Sequence, residues 1–375
     1  MYKAVALTQR IISSYIFRRV VLIFPTLIGI LLVNFIIIQA SPGGPVDQAI
    51  ARIMGEGVAA TSQIGGGGGS PSAGAGAPGG ESSYEFARGL DPELIAELER
   101  QFGFDKPAHV RFLMMMKDYF SFEFGNSYYQ DVPVVDLIVE RLPVSLSLGL
   151  ASLLIVYSVS VPLGIRKAVS DGTPFDIWTS IVILVGYAIP AFVLAMLLII
   201  VFCGGEFFNW FPLRGLISDN YEELTAWGKI KDRIWHIAMP VTAMVAGSFA
   251  TLTMLTKNSF LEEINKQYVL TARAKGLTPR RVLYGHVFRN AMLIVIAGFP
   301  AALLGMLFTG GVLIEVIFSL RGIGLLGFEA ILTRDYPIVF ATLFVFTLLG
   351  LITQLIADVT YMLVDPRIDF ELREG

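Results

Sequence analysis

Residues 268–277 read Tyr268-Val269-Leu270-Thr271-Ala272-Arg273-Ala274-Lys275-Gly276-Leu277, apolar positions interleaved with two cations and closed by a glycine. The chemistry available to such a stretch is docking rather than catalysis. Val269, Ala272 and Gly276 recur at spacings of three and four, so they share one helix face, and Arg273 and Lys275 lie to its sides. A short amphipathic knob of this kind fits a socket on a partner. Ten residues alone read equally well as an ordinary basic loop between membrane spans. Groups for covalent or metal chemistry are not assembled elsewhere. The glycine run at 65–69 lacks the Lys-Ser/Thr that a phosphate loop requires. There is no His-Glu-x-x-His and no Gly-x-Ser-x-Gly pattern. His109, His236 and His286 fall on separate segments and read as interfacial histidines rather than a ligand set. The single cysteine, Cys203, excludes an intrachain disulfide.

The elements that must position residues 268–277 follow from local signals. Ser259 with Glu262 three residues on reads as a capping box, which predicts a helix start there. Gly276 stands where a helix needs a residue tolerant of left-handed backbone. Thr278 and Pro279 then supply a new N-cap and first helical position. The expected order is helix, glycine break, second helix.

Apolar residues make up 54% of the chain and charged residues 16%, a composition that places it in a membrane. About six apolar segments reach the roughly 20 residues that a spanning helix needs. They lie at 20–38, 143–163, 177–202, 235–255, 291–317 and 338–359. Their backbones must close their hydrogen bonds internally, so an all-α integral membrane protein is expected. The first apolar run follows Arg18 and Arg19 with no small-residue cleavage site close behind, which reads as a span and not a removable leader. Cations set the orientation. Lys3, Arg10, Arg18 and Arg19 precede the first span, and Arg166 and Lys167 follow the second. Lys257, Lys266, Arg273, Lys275, Arg280, Arg281 and Arg289 lie between the fourth and fifth, and Arg367 and Arg373 come after the sixth. Both termini (1–19 and 366–375) and the loop 257–289 are therefore expected in the cytoplasm. A long periplasmic segment, 41–142, follows the first helix at 20–40, and five helices fill a core at 143–365.

Within the long segment, Ser41-Pro42-Gly43-Gly44-Pro45 ends the first helix. Residues 65–80 are nearly all Gly, Ala, Ser and Pro and read as a flexible insert. Asp91-Pro92-Glu93 starts a helix ended by Gly103, and a second amphipathic piece is expected over 110–120. Turns are expected at 124–127 and 131–133. This small helical cap braces the bundle or meets a delivery protein. Pro190, Pro240 and Pro300 each remove a backbone donor and predict kinks. Gly322, Gly324 and Gly327 predict a broken, partly re-entrant stretch near 314–326.

The spans are poor in ionisable groups, whereas an ion-coupled carrier usually places acids at mid-membrane. Only Glu315 and Asp358 occur, near span ends, so the energy source is expected outside the chain. Glu315 either meets cargo or is a membrane-edge acid satisfied by the Gly-rich turn, and the second reading is favoured. Asn34, Ser145, Ser147, Ser248, Thr251 and Thr253 are candidates for a polar pathway, or else close-packing residues between helices. Asn34, Ser248, Thr251 and Glu315 are retained as pathway candidates.

Residues 268–277 resemble the cytoplasmic coupling loop of the permeases of binding-protein-dependent ABC importers. The family pattern is Glu-Ala-Ala, three residues, then Gly. Gly276 matches the glycine, while Leu270-Thr271-Ala272 replace Glu-Ala-Ala, a form similar to that of oligopeptide and dipeptide permeases. Pro42-Gly43-Gly44-Pro45, the run from Gly103 to Pro107, Phe124-Gly125-Asn126-Ser127 and Leu142-Pro143 resemble the early part of that subfamily. Glu315-Val316-Ile317-Phe318, Gly322-Ile323-Gly324, Arg334-Asp335-Tyr336-Pro337 and Asp365-Pro366-Arg367-Ile368 resemble its late part. The resemblance implies a pore subunit that imports oligopeptides or peptide-like compounds. It implies a second homologous permease, an ABC ATPase and a periplasmic peptide-binding protein as partners. Membrane lipid surrounds the spans, and no nucleic acid is expected. The chain itself binds no cofactor on this reading, ATP and Mg being held by the ATPase. The coupling residues would be 268–277, with Ala272 and Gly276 packed closely and Arg273 and Lys275 as polar contacts. An ion-coupled carrier or channel and a membrane enzyme are the alternatives, the latter lacking any catalytic constellation.

Overall fold

The computed structural model describes the backbone of residues 2–40, 106–204, 207–306 and 311–364. It describes the side chains of these except 2–15, 38–40 and 361–364. The expectations for 41–45, 65–80 and 91–103 lie outside the described residues. Among the described residues the regular elements are all helices. They are α1 (Tyr2–Ala40), α2 (Ala108–Phe120), α3 (Val134–Val169), α4 (Pro174–Ala188), α5 (Ala191–Phe202) and a short turn at Tyr221–Glu223. There follow α6 (Ala226–Ile264), α7 (Gln267–Ala274), α8 (Pro279–Val282), a π segment (Leu283–Val287), α9 (Phe288–Ala297) and α10 (Phe299–Leu304). The last are α11 (Gly311–Ile317), α12 (Ile323–Thr333) and α13 (Tyr336–Val364).

Among the described residues, five stretches are long and apolar enough to cross a membrane: Ile16–Ile37, Val134–Val169, Ala226–Ile264, Pro279–Leu304 and Tyr336–Thr360. The pair α4 and α5 makes a sixth if counted as one span, but it is bent by 93°. The bend falls at Pro190, which has no N–H to donate, and Ile189 before it is extended. Pro240 behaves differently and sits buried inside an unbroken α6. The expected fifth span, 291–317, is corrected at its start. Helix restarts at Pro279, behind the left-handed turn at Gly276, so the crossing stretch begins earlier and is described as far as Leu304. Residues 311–317 form helix α11. The expected helix start at Ser259 is also corrected. α6 runs through to Ile264, and the Ser259 hydroxyl donates to the Ala291 carbonyl at 2.7 Å, joining α6 to α9 instead of capping.

The described residues fall into two compact units. One is drawn from Met1–Val21, Glu140–Leu326 and Leu348–Gly375, the other from Leu22–Val139 and Gly327–Thr347. In the smaller unit, α2 fills the amphipathic stretch expected at 110–120, and Tyr119, Phe124 and Phe344 pack edge to face. Its turns form as expected, with Gly125 left-handed and Asn126 bridged to Pro133. The buried Asp335 accepts from Ser127 Oγ at 2.5 Å and from the Tyr128 amide at 3.2 Å.

In the larger unit α6 is the axis, and α4, α5, α9 and α11 all pack on it. Thr225 caps its start by accepting from the Gly228 amide at 3.2 Å. Its buried side includes Met244, Val245, Leu252, Thr253, Thr256 and Phe260. α3 crosses it at Gly164, where a Cβ would lie 2.6 Å from Thr256 Cβ and 2.8 Å from the Thr253 carbonyl. Lipid supplies no hydrophobic drive between helices, so such close backbone approach is a main source of association. Gly164→Ala should cost about 1–3 kcal/mol through overpacking. Gly247→Ala, where a Cβ meets nothing within 4 Å, should be close to neutral. Thermal unfolding of the two purified variants checks this.

Candidate functional site

α7 is an eight-residue helix joined to α6 by Asn265 and Lys266. Its exit matches expectation. Gly276 has φ +82, its N–H donates to the Arg273 carbonyl at 2.9 Å, and the Leu277 N–H donates to Ala272 at 3.3 Å. These two bonds close the last turn around a left-handed residue. Thr278 then stands at the N-cap and Pro279 at the first position of α8. At the start of α7, Tyr268 donates from its hydroxyl to Glu263 at 2.7 Å, and Lys266 pairs with the same carboxylate. Burial and this bond raise the Tyr268 phenol above its ordinary range, so it stays a donor at neutral pH.

Val269 and Ala272 are buried, in one apolar cluster with Val282, Val287, Phe260 and Ala291. The face defined by Val269 and Ala272 is therefore the one by which α7 grips its own chain, and Gly276 at its end is exposed. The outward face consists of Leu270, Thr271, Arg273, Ala274 and Lys275. Leu270 is 52% exposed and is the large apolar side chain of that face.

The pathway candidates separate. Ser248 and Thr251 line a cavity of about 370 Å³ in the larger unit, together with Tyr157, Met244, Val295 and Met306. Asn34 belongs to the smaller unit, where it is buried. Glu315 is buried in α11 with both oxygens engaged. Oε1 accepts from Ser145 Oγ at 2.6 Å, and Oε2 accepts from the Leu325 N–H at 2.9 Å. Ser145 Oγ in turn accepts from the Ile323 N–H at 2.9 Å. The carboxylate and serine thus satisfy the open amides at the start of α12. The glycines around it are required for contact, because a Cβ at Gly322 would stand 2.3 Å from Glu315 Cδ. Ser147 is exposed and bonds its own helix, and Thr253 is buried.

Sequence reasoning missed one group. Lys167 was read only as a flank charge, yet it is wholly buried. Its Nζ reaches Asp176 Oδ1 at 2.8 Å, the Asp176 carbonyl at 2.7 Å, Thr179 Oγ1 at 2.8 Å and Ser180 Oγ at 2.7 Å. Lys257 of α6 reaches Asp176 Oδ2 and Asp171 Oδ1, each at 2.8 Å. The readable signal was Asp176 in the first turn of α4, an acid inside an otherwise apolar stretch. Of the three histidines, His236 is buried, with Nδ1 2.8 Å from the Asp232 carbonyl, while His109 and His286 are exposed.

Gly322→Ala is expected to lower the thermal midpoint of the purified protein by several degrees. Adding Glu315→Ala should recover part of that loss by removing the clash, which a double-mutant cycle measures.

The model of a family described as "Binding-protein-dependent transport system inner membrane component" matches residues 160–370. The peptidoglycan transport system permease protein YejB of Agrobacterium fabrum is 56% identical over 362 residues, covering 96% of this chain and 100% of that protein. The inner membrane ABC transporter permease protein YejB of Escherichia coli O157:H7 is 55% identical over 373 residues, with the same two coverages. The oligopeptide transport system permease protein AppB of Bacillus subtilis is 30% identical over 363 residues, again covering 96% of this chain and 100% of that protein.

Proposed function

The chain belongs to the binding-protein-dependent transport system inner membrane components, and from that premise we propose that it imports peptide-bearing compounds and is driven through the outward face of α7. It is a multi-pass permease subunit of an ABC importer in the inner membrane. ATP hydrolysis resides on a partner ATPase subunit, with a substrate-binding protein as the further partner.

The relatives support the cargo class. One is described as a peptidoglycan transport permease and another as an oligopeptide permease. Cell-wall fragments and oligopeptides share a short peptide, so a peptide is the common element. The cavity beside Ser248 and Thr251 carries no charged side chain among its lining residues. It is one wall of the passage, and a second homologous permease supplies the opposite wall. The termini and the 257–289 loop face the cytoplasm and 41–142 the periplasm, as the cation distribution supports. ATP and Mg are bound by the ATPase alone.

The observation that carries the reading is the division of α7 into two faces. Val269 and Ala272 fix the helix to its own chain, so a force on the outer face moves α6 and α9 with it. Leu270 is the apolar anchor for the ATPase groove, and Arg273 and Lys275 flank it with charge. Purification from the native membrane should recover an ATP-binding subunit with this chain. Leu270→Asp should reduce that recovery about tenfold or more, since an apolar anchor replaced by an unpaired charge costs above 1.4 kcal/mol. Gly276→Val forces a branched residue into left-handed backbone and should impair uptake more than membrane insertion. Wild-type recovery of the ATPase by the Leu270→Asp variant would contradict the assignment. Uptake of a labelled tripeptide and of a peptide-bearing muropeptide by cells with and without the chain tests the cargo class.

A further inference from the structure

The cluster of Lys167, Asp171, Asp176 and Lys257 is placed where a purely topological role would not need it. Cations that only hold a loop on one side of a membrane sit in water. Lys167 is instead 0% exposed and Lys257 is 13% exposed at the side chain. Lys167 belongs to α3, Asp176 to the first turn of α4, Lys257 to α6, and Asp171 to the turn between α3 and α4. One carboxylate therefore ties three helices together at a single point. The α3–α4 turn is held to the same point, since Gly172 is left-handed and its N–H donates to Asp176 Oδ2 at 3.2 Å. Arg166 covers the Phe175 ring at 4.6 Å on the other side of that turn.

The position along α6 matters. Lys257 lies seven residues before the end of α6 at Ile264, about 10 Å along the axis at 1.5 Å per residue, and α7 begins at Gln267 after the two linking residues. Along α6 from that end, the buried Phe260 that shares an apolar cluster with Val269 and Ala272 comes first, and the ion cluster at Lys257 stands three residues further on. At the far end of α4 stands the Pro190 bend, which leads into α5. Two packed apolar helices can slide past one another, but a buried ion pair cannot slide without leaving a charge unpaired in a medium of low dielectric.

We propose that Lys257, with Asp176 and Lys167, is the positioning latch that makes α4 and its bent continuation follow α6 when α7 is displaced. Lys257 carries the coupling and Lys167 keeps Asp176 neutralised within the bundle. The proposal rests on the reading of α7 as the ATPase contact. It goes beyond that reading by naming the route from α6 to the bent helix pair.

The test uses the whole importer in proteoliposomes and reads peptide taken up per ATP hydrolysed. Lys257→Met is the deciding variant, because Asp176 retains Lys167 as counter-charge. The expected result is a fall in that ratio of at least about fivefold, the lower end of measured couplings between sites. Recovery of the ATPase and the KM for ATP should stay unchanged, and Lys257→Arg should restore the ratio. A ratio within about twofold of wild type would overturn the proposal, as would parallel loss of uptake and assembled complex. If Lys257→Met does not reach the membrane, Lys257→Gln, which removes the charge but keeps a donor beside Asp176, decides. A lowered ratio in that variant supports the latch and an unchanged ratio overturns it. Failure of the α7 reading itself looks different, since the wild-type chain would then recover no ATPase.

Discussion

The continuity of α6 as a single helix is the constraint on which the larger unit depends. In hydrocarbon every backbone N–H and C=O must be satisfied within its own helix, so a spanning helix tilts or slides as a body. α6 extends this rule over 39 residues from Ala226 to Ile264, with Pro240 accommodated inside it. α4, α5, α9 and α11 all take their places against it. The close crossing at Gly164, the Ser259 bond to Ala291 and the Lys257 ion pairs are three ways of fixing neighbours to this one rod. α7 follows after two residues and returns its Val269 and Ala272 to the same core. A push at α7 is therefore felt by the rod and by what the rod carries.

The acids within the spans are structural. Glu315 organises the start of α12, and Asp358 lies 3.0 Å from Arg19. In the family to which the chain belongs, work comes from a partner ATPase. On the docking proposed for it, the eight-residue α7 is a small target but a stiff one, since its ends are fixed by the Tyr268–Glu263 bond and by the Gly276 turn.

Much of this was legible because membranes simplify the reading. Spans announce themselves by length and hydropathy, and the Gly276, Thr278 and Pro279 signals follow local backbone rules that tertiary contacts did not override. Errors arose where local and tertiary signals compete. Ser259 and Glu262 imitate a capping box, but a serine inside a membrane helix can equally bond a neighbour's carbonyl, and the sequence does not say which. The apolar run at 291–317 gives no sign that helix begins as early as Pro279, because Arg280, Arg281 and Arg289 lower the hydropathy there. Spacing grouped Val269 with Ala272 correctly, but could not tell whether the pair faced a partner or the chain's own core. The burial of Lys167 was illegible for a similar reason. A cation after a span is ordinarily a topology signal, and its partner, Asp176, belongs to the next helix.

The central claim is that α7 meets an ATPase with the face bearing Leu270, Arg273 and Ala274, and its own chain with the face bearing Val269 and Ala272. The direct measurement places single cysteines at each position from 267 to 277 in a Cys203→Ser background. Each thiol carries a thiol-reactive photo-crosslinker, and transfer to the ATPase subunit in native membranes is scored position by position. Strong transfer from Leu270→Cys, Arg273→Cys and Ala274→Cys, with little from Val269→Cys and Ala272→Cys, is the helical pattern expected. Uniform transfer, transfer centred on 269 and 272, or none from any position would contradict the assignment.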